Sequence, residues 1–251
     1  MFINHIFMNL CIDIGNSIIK TALFSGLKIQ ETANWQKIGL TEIFELKSKY
    51  PEIKNVILCS VRPENLDLID QLERNFHYLL VFNETTEIPL ENLYRTSKTL
   101  GKDRLAAVTG ANNNYPDKNV LVVDLGTAIT YDLVDEFNRY LGGNISPGMT
   151  LRFRALHEFT GNLPLLKPGH NTELLANNTK DAIAAGVEKG IIFEIQSYIN
   201  ILEKQYRNLI IIFTGGDAKY FDKKLKNTIF VDPFLIFTGL NRILIHNVKN
   251  N

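Results

Sequence analysis

Residues 13–24 read DIGNSIIKTALF, and residues 124–135 read DLGTAITYDLVD. In both, an apolar strand ends in Asp-x-Gly, a small polar residue follows, and a second strand begins. The two copies stand a little under half the 251-residue chain apart. A repeat of that size indicates a duplicated unit, here two lobes each led by a β-hairpin. Two similar lobes predict a cleft between them, and clefts between domains are where small ligands bind. The expected division is 1–115 and 116–251.

The flanking sequence extends each hairpin in the same way. NLCIDI (9–14), IIKTALF (18–24) and KIQETAN (28–34) alternate as a three-strand meander. NVILCSV (55–61) is a continuous apolar run suited to a buried strand. Helical spacing covers 41–50, 65–76 and 102–114, and a strand is expected over 78–82. The second series opens with NVLVVDLG (119–126), ITYDLVD (129–135) and RYLGGNI (139–145). Pro147 is expected at the first position of a helix reaching about Phe159. A loop over 161–178 precedes a long helix, 179–206, with Thr179 as its N-cap. LIIIFTGGDA (209–218) supplies a buried strand, a glycine turn and a helix start. Strand TIFVD (228–232) and a helix from Pro233 complete an α/β chain.

Composition removes several function classes. Lys+Arg and Asp+Glu both number 27, so no basic excess exists to neutralise nucleic-acid phosphates or grip an anionic membrane. Hydrophobic residues at 45% and charged residues at 22% describe a folded globular chain rather than a disordered one. Cys11 and Cys59 each sit inside an apolar run and read as buried thiols, not a disulfide framework. The apolar opening MFINHIFMNL lacks a cationic start and a cleavage site, so no signal peptide is read from it, and Met8 is an alternative start. No apolar stretch has a membrane span's length. The expected location is the cytoplasm. The histidines, His5, His77, His157, His170 and His246, are scattered without metal-ligand spacing.

The hairpin turn has chemical uses for each position. Gly15 permits a left-handed turn and lets an anion approach without a Cβ in the way. Turn amides, with the Asn16 and Ser17 side chains, donate to phosphate oxygens, and Lys20 adds a point charge. Asp13 would repel phosphate directly, so it acts through Mg²⁺ or a metal-bound water. The competing reading is a plain hairpin turn, in which Asp and Gly are equally at home. The second copy tilts the balance towards function. FTGGDA adds a strand, two glycines and a helix N-terminus, a place for adenine, ribose or phosphate. Together the three elements resemble the phosphate-1, phosphate-2 and adenosine pattern of the acetate and sugar kinase, Hsp70 and actin superfamily. That resemblance implies two ribonuclease-H-like (actin-like ATPase) lobes with ATP in the interlobe cleft.

Further segments narrow the resemblance. In order they are Ser60-Val61-Arg62-Pro63, Tyr94, Gly101-Lys102-Asp103-Arg104, Asp124-Leu125-Gly126-Thr127, Gly142-Gly143-Asn144-Ile145-Ser146-Pro147-Gly148 and Asn178-Thr179-Lys180-Asp181-Ala182-Ile183-Ala184-Ala185-Gly186. Their order and spacing resemble type III pantothenate kinase from about Met8 to the last helix. Ser17 stands where that family usually has Thr, keeping the hydroxyl. The resemblance implies ATP-dependent phosphorylation of the primary hydroxyl of pantothenate to 4'-phosphopantothenate, opening coenzyme A biosynthesis. It implies a homodimer, Mg²⁺, and a monovalent cation, K⁺ or NH₄⁺. By the same match Asp103 is the proton acceptor and Asp124 the monovalent-cation ligand. Asp13, Ile14, Gly15, Asn16, Ser17, Ile18, Ile19, Lys20 and Thr127 would hold ATP. Tyr94, Gly101, Lys102, Asp103, Arg104 and Thr179 would hold pantothenate.

Elementary chemistry agrees with the match. Phosphoryl transfer asks for positioning and charge neutralisation, and a hydroxyl nucleophile needs a carboxylate in reach. Asp103 supplies the carboxylate, and the Arg104 guanidinium suits a substrate carboxylate. A surface ion pair at a helix start is the bland reading of the same two residues. Two rivals remain: a kinase for another small hydroxy compound, and a nucleotide-binding regulator of this fold without catalysis. Tyr94 and Asn178-Thr179 oppose the first, and Asp103 opposes the second.

Overall fold

The computed structural model describes residues 7–15, 18–36, 40–60, 62, 65–169 and 173–250. Asn16 and Ser17 of the hairpin turn, Val61 and Pro63, and His5 and His170 lie outside the described residues. The chain falls into two units: Met1–Pro116 with Asn138–Tyr140 and Phe234–Asn251, and Asp117–Phe137 with Leu141–Pro233.

In the first unit the chain runs β1 (Met8–Ile14), β2 (Ile19–Ser25), β3 (Lys28–Trp35), α1 (Leu40–Lys49), β4 (Ile53–Ser60), α2 (Leu66–Asn75), β5 (Tyr78–Val81), β6 (Glu91–Asn92) and α3 (Lys102–Asn114). The sheet order is β3-β2-β1-β4-β5. β1 pairs antiparallel with β2 and parallel with β4. The central strands are buried on both faces, through Leu10, Cys11 and Ile12 on β1 and Val56 to Cys59 on β4. This is why their sequences read as continuous apolar runs. β3 is an edge strand and alternates exposed with half-buried residues along its length. Trp35 at its end packs on this core and donates from Nε1 to Thr21 Oγ1 at 3.3 Å. Both cysteines are buried free thiols.

The second unit repeats that layout with β7 (Val120–Leu125), β8 (Ala128–Val134), β9 (Arg139–Pro147), α4 (Met149–Glu158), α5 (Thr179–Gln205), β10 (Ile210–Thr214), α6 (Ala218–Phe221) and β11 (Phe230–Val231). Read from β9, the order β9-β8-β7-β10-β11 matches that of the first sheet. β7 again pairs antiparallel with its hairpin partner and parallel with the strand on its other side. α5 buries Ile183, Val187, Ile191, Ile195 and Ile199, every fourth residue, against this sheet's core. Two units of matching strand order, as the hairpin repeat predicts and as the resemblance to the ribonuclease-H-like superfamily implies, are therefore present.

Local details depart from the sequence expectation. Pro147 ends β9, and Gly148 is the N-cap of α4. Asn178, not Thr179, caps α5: its side chain accepts from the Asp181 N–H at 3.0 Å and donates to the Asp181 carboxylate at 2.7 Å. A capping Asn with an acidic residue three positions on closes both groups reciprocally, which Thr179 has no partner to do. The expected strand over 228–232 shortens to Phe230–Val231.

The last helix, α7 (Leu235–Asn250), groups with the first unit and not with the half that precedes it in sequence. Its Gly239 and the Gly110 of α3 let the two helices meet backbone to backbone. A Cβ at 110 would overlap the Leu235 carbonyl oxygen, and one at 239 the Ala106 carbonyl oxygen. A buried amide chain completes the join. Asn55 donates to Asn9, Asn9 to Asn241, and Asn241 to the Gly26 carbonyl, at 2.9, 2.8 and 2.9 Å. Buried amides satisfied in series are costly to break, since each partner lost strands another.

Candidate active site

In the first unit the end of β1 carries the expected turn. Gly15 N–H donates to the Ile18 carbonyl at 3.1 Å and closes the hairpin. Gly15 does not adopt the left-handed φ expected of it. Its need is space, because a Cβ would sit 3.1 Å from the Ile18 oxygen. Its amide is thus used within the turn. Gly126 repeats the pattern, donating to the Ala128 carbonyl at 3.1 Å.

Register assembles the charges. Asp13 lies across from Lys20 on β2 and from Cys59 on β4. Asp103 stands in the first turn of α3, its Oδ1 accepting the Arg104 N–H at 2.8 Å. A Cβ on Gly101 would lie 2.5 Å from that oxygen, so a larger residue there would require the Asp103 carboxylate to shift. Burial pushes the Asp13 carboxyl up to about 6, with Lys20 pulling it down and Asp103 pushing it further up. The Cys59 thiol is raised far above its ordinary value by burial and then by Asp13 and Asp103. Lys102 works in the opposite direction on that thiol. Asp13, Lys20, Lys102 and Asp103 thus form one electrostatic cluster.

Beside it, Arg104 is only 5% exposed, and its guanidinium lies over the Tyr94 ring at 5.5 Å. Tyr94 stacks on buried Tyr140, with centroids 6.1 Å apart. The short pairing of β6 with Arg139 and Tyr140 brings those two tyrosines together. Tyr140 was missed by sequence reasoning, and no local pattern marks it, because that pairing joins distant segments.

The second unit treats its turn differently. Asp124 is the next-to-last residue of β7, half-buried, with Thr130 and Thr214 as strand partners. Gly215 holds a left-handed φ of +89°, and a Cβ there would overlap an Asp124 carboxylate oxygen. The Asp217 N–H donates to the Leu125 carbonyl at 2.9 Å, joining the Gly215-Gly216 turn to the end of β7. On the other side the Gly148 N–H donates to the Thr127 carbonyl at 3.0 Å, and a Cβ at 148 would overlap the Gly126 carbonyl oxygen. Thr127 is exposed between these supports. Thr179 stands on a separate element, the exposed first turn of α5. In the sequence Gly148 stands only within a longer motif and Gly215 reads as part of a nucleotide-side turn, with neither placed beside the Asp124 turn. Their sequence signal was present as Pro-Gly and Gly-Gly, but which carbonyls they face is a tertiary matter.

Among the described residues no group of three or more His, Cys, Asp and Glu is poised to hold a metal ion. Mg²⁺ does not need such a group, since it takes one or two carboxylates and leaves the remaining positions to phosphate and water. Asp13, its charge disfavoured by burial and by Asp103, is a carboxylate that a divalent cation would relieve. A Cβ at 215 would press on an Asp124 carboxylate oxygen and on the Leu125 carbonyl oxygen, so only glycine fits that position. Among the described residues no helix is long and apolar enough to cross a membrane.

Comparison with known proteins adds the following. The model of the type III pantothenate kinase family matches residues 9–201. A type III pantothenate kinase of Phocaeicola vulgatus is 45% identical over 242 residues, covering 96% of this chain and 100% of its own. Among solved structures, a conserved Baf family protein from Campylobacter jejuni is similar in fold, with a TM-score of 0.62 at 23% identity over 96% of this chain and 99% of its own. A polyphosphate/ATP-glucomannokinase from Arthrobacter sp. strain KM gives a TM-score of 0.50 at 16% identity over 98% of this chain and 100% of its own.

Proposed function

The chain belongs to the type III pantothenate kinase family and phosphorylates pantothenate in coenzyme A biosynthesis, and from that premise we propose how its own residues divide the work. The observation that carries the assignment is identity of 45% spread over 96% of the chain. ATP and a divalent metal belong to the reaction.

Asp103 is the proton acceptor. One of its oxygens is engaged by the Arg104 amide; the other faces the primary hydroxyl of pantothenate and takes its proton as the new P–O bond forms. Arg104 and Tyr94, already in contact, hold the acid substrate. The guanidinium pairs with the substrate carboxylate, and the ring limits where that carboxylate can lie. Gly101 keeps the approach to Asp103 open, Lys102 adds positive charge, and Thr179 contributes its hydroxyl from α5.

The residues of the Asp13–Lys20 turn, and separately Thr127, are the ATP contacts. The Gly15 and Gly126 amides are occupied within their turns, and Thr127 and the residues after Gly15 supply the phosphate donors. Asp13 would hold Mg²⁺ directly or through water, and Mg²⁺ there neutralises phosphate charge. Asp124 would hold K⁺ or NH₄⁺, which adds positive charge beside the phosphates. The protein works as a homodimer in the cytoplasm, with no nucleic acid or membrane as partner.

The deciding experiment is a coupled ADP-release assay with pantothenate, MgATP and K⁺, with product mass read in parallel. Pantothenate-dependent ADP release and a product heavier by one phosphate are expected. Turnover only on another alcohol would discard the substrate, and ATP binding without transfer would favour a regulator. Full activity in Na⁺ alone would remove the cation from Asp124, and a monomer in sedimentation would remove the homodimer.

A further inference from the structure

Arg152 on α4 has no part in the assignments above, yet its guanidinium ties its own helix to two other segments, the end of β9 and α5. Nε donates to the Pro147 carbonyl at 2.7 Å, and Nη2 donates to Ser146 Oγ at 2.9 Å and to Glu194 Oε2 at 2.5 Å. Glu194 on α5 is held from the other side by the Tyr131 hydroxyl at 2.9 Å, and the Tyr131 ring stacks on Tyr198 at 4.1 Å. Burial raises the Glu194 carboxyl, but hydrogen bonds from Arg152, Ser146 and Tyr131 outweigh it and leave the group lowered and ionised. The Arg152 and Glu194 side chains are 21% and 25% exposed, so the pair is shielded but not sealed.

An ordinary surface ion pair contributes little. This one differs in what it holds. Two of the three Arg152 bonds go to Ser146 and Pro147, the residues directly before Gly148. Gly148 in turn bonds the Thr127 carbonyl, with no room for even a Cβ against the Gly126 carbonyl. A contact that tight transmits displacement: if the 146–148 segment moves, the Gly126–Thr127 turn moves with it. The Gly148 bond also fixes the direction of the Thr127 peptide plane.

We propose that Arg152, braced by Glu194, is a positioning residue for ATP: it holds Ser146–Gly148 so that the Gly126–Thr127 turn presents its donors to phosphate. This rests on the reading of Thr127 as an ATP contact. Guanidinium geometry is required, because a lysine is a single point donor and cannot fork to the carbonyl and the carboxylate together.

The test measures KM for MgATP and for pantothenate separately, with Kd for a non-hydrolysable ATP analogue, in the full-length protein. Arg152→Met is expected to raise KM for MgATP and the analogue Kd about tenfold, with KM for pantothenate within about twofold of the parent. Arg152→Lys falls between the two. Adding Glu194→Gln to Arg152→Met adds nothing further, since both remove one brace. Thr127→Val is run beside them. If it weakens MgATP while Arg152→Met does not, the positioning role is overturned and the ATP reading survives. If Thr127→Val leaves MgATP unchanged, the ATP reading falls and takes the proposal with it. Equal rises in both KM values, tracking a lowered Tm, would reduce Arg152 to a fold staple and overturn the proposal. Should Arg152→Met not fold, Arg152→Lys alone decides by the same selectivity for MgATP over pantothenate.

Discussion

The two hairpin turns share a backbone and differ in how they are held. Around Asp13 the neighbours are charges: Lys20 across the strand and Asp103 from α3, with the carboxyl pushed up to about 6. Around Asp124 the neighbours are glycines, Gly148 and Gly215, each placed where a side chain would strike a carbonyl or carboxylate oxygen of the turn or of Asp124. The first turn is electrostatically loaded and the second is sterically clamped. A duplicated fold has thus been specialised partly within the hairpin, where Lys20 of the first copy is replaced by Tyr131 in the second, and partly through the elements packed against each turn.

The strongest challenge to that contrast is Asp103→Asn. It should lower kcat by about 10²–10⁴ with KM values little changed, because only the proton acceptor is lost. Wild-type turnover in this variant would remove the chemistry from the first unit. Next is a pair of alanine substitutions read by urea unfolding. Gly148→Ala should cost about 3 kcal/mol, since its Cβ meets backbone oxygens that cannot step aside. Gly15→Ala, whose Cβ meets the Ile18 oxygen at 3.1 Å, should cost about 1 kcal/mol. Equal losses would show that the second turn is not specially clamped.

The charge on the first turn predicts a pH signature. Asp13 has a folded value near 6 against an ordinary 3.8, so its ionisation favours the unfolded chain. The resulting cost is absent below about 3.8, grows as pH rises, and is complete above about 6. In metal-free protein Asp13→Asn should therefore be more stable than the parent by about 2 kcal/mol at pH 8, allowing for partial solvent screening, and no more stable at pH 4. A gain that does not depend on pH would mean that packing, not charge, distinguishes the site. The smallest effect belongs to Tyr94→Leu. Loss of the ring under Arg104 should raise KM for pantothenate about fivefold and leave KM for MgATP alone. A rise for MgATP instead would place the nucleotide, not the acid, beside Arg104.

Much of this was legible along the chain. Apolar alternation, Asp-x-Gly turns and the offset between them are local signals, and they carried the hairpins, the duplication and the position of Asp103 at a helix start. Cap chemistry was readable but off by one at Thr179, where Asn178 found a reciprocal partner in Asp181 and a lone threonine would not. What had no local trace was the company each residue keeps. The placement of α7 on α3, the amide chain through Asn9, Asn55 and Asn241, the Tyr140 ring beneath Tyr94, and the Arg152–Glu194 brace all join segments far apart in sequence. Periodicity and turn preference arise from each residue's own backbone and nearest neighbours, so they appear in the order of amino acids. Contact between distant segments depends on which surfaces meet once the sheets have formed, and only the folded chain decides that.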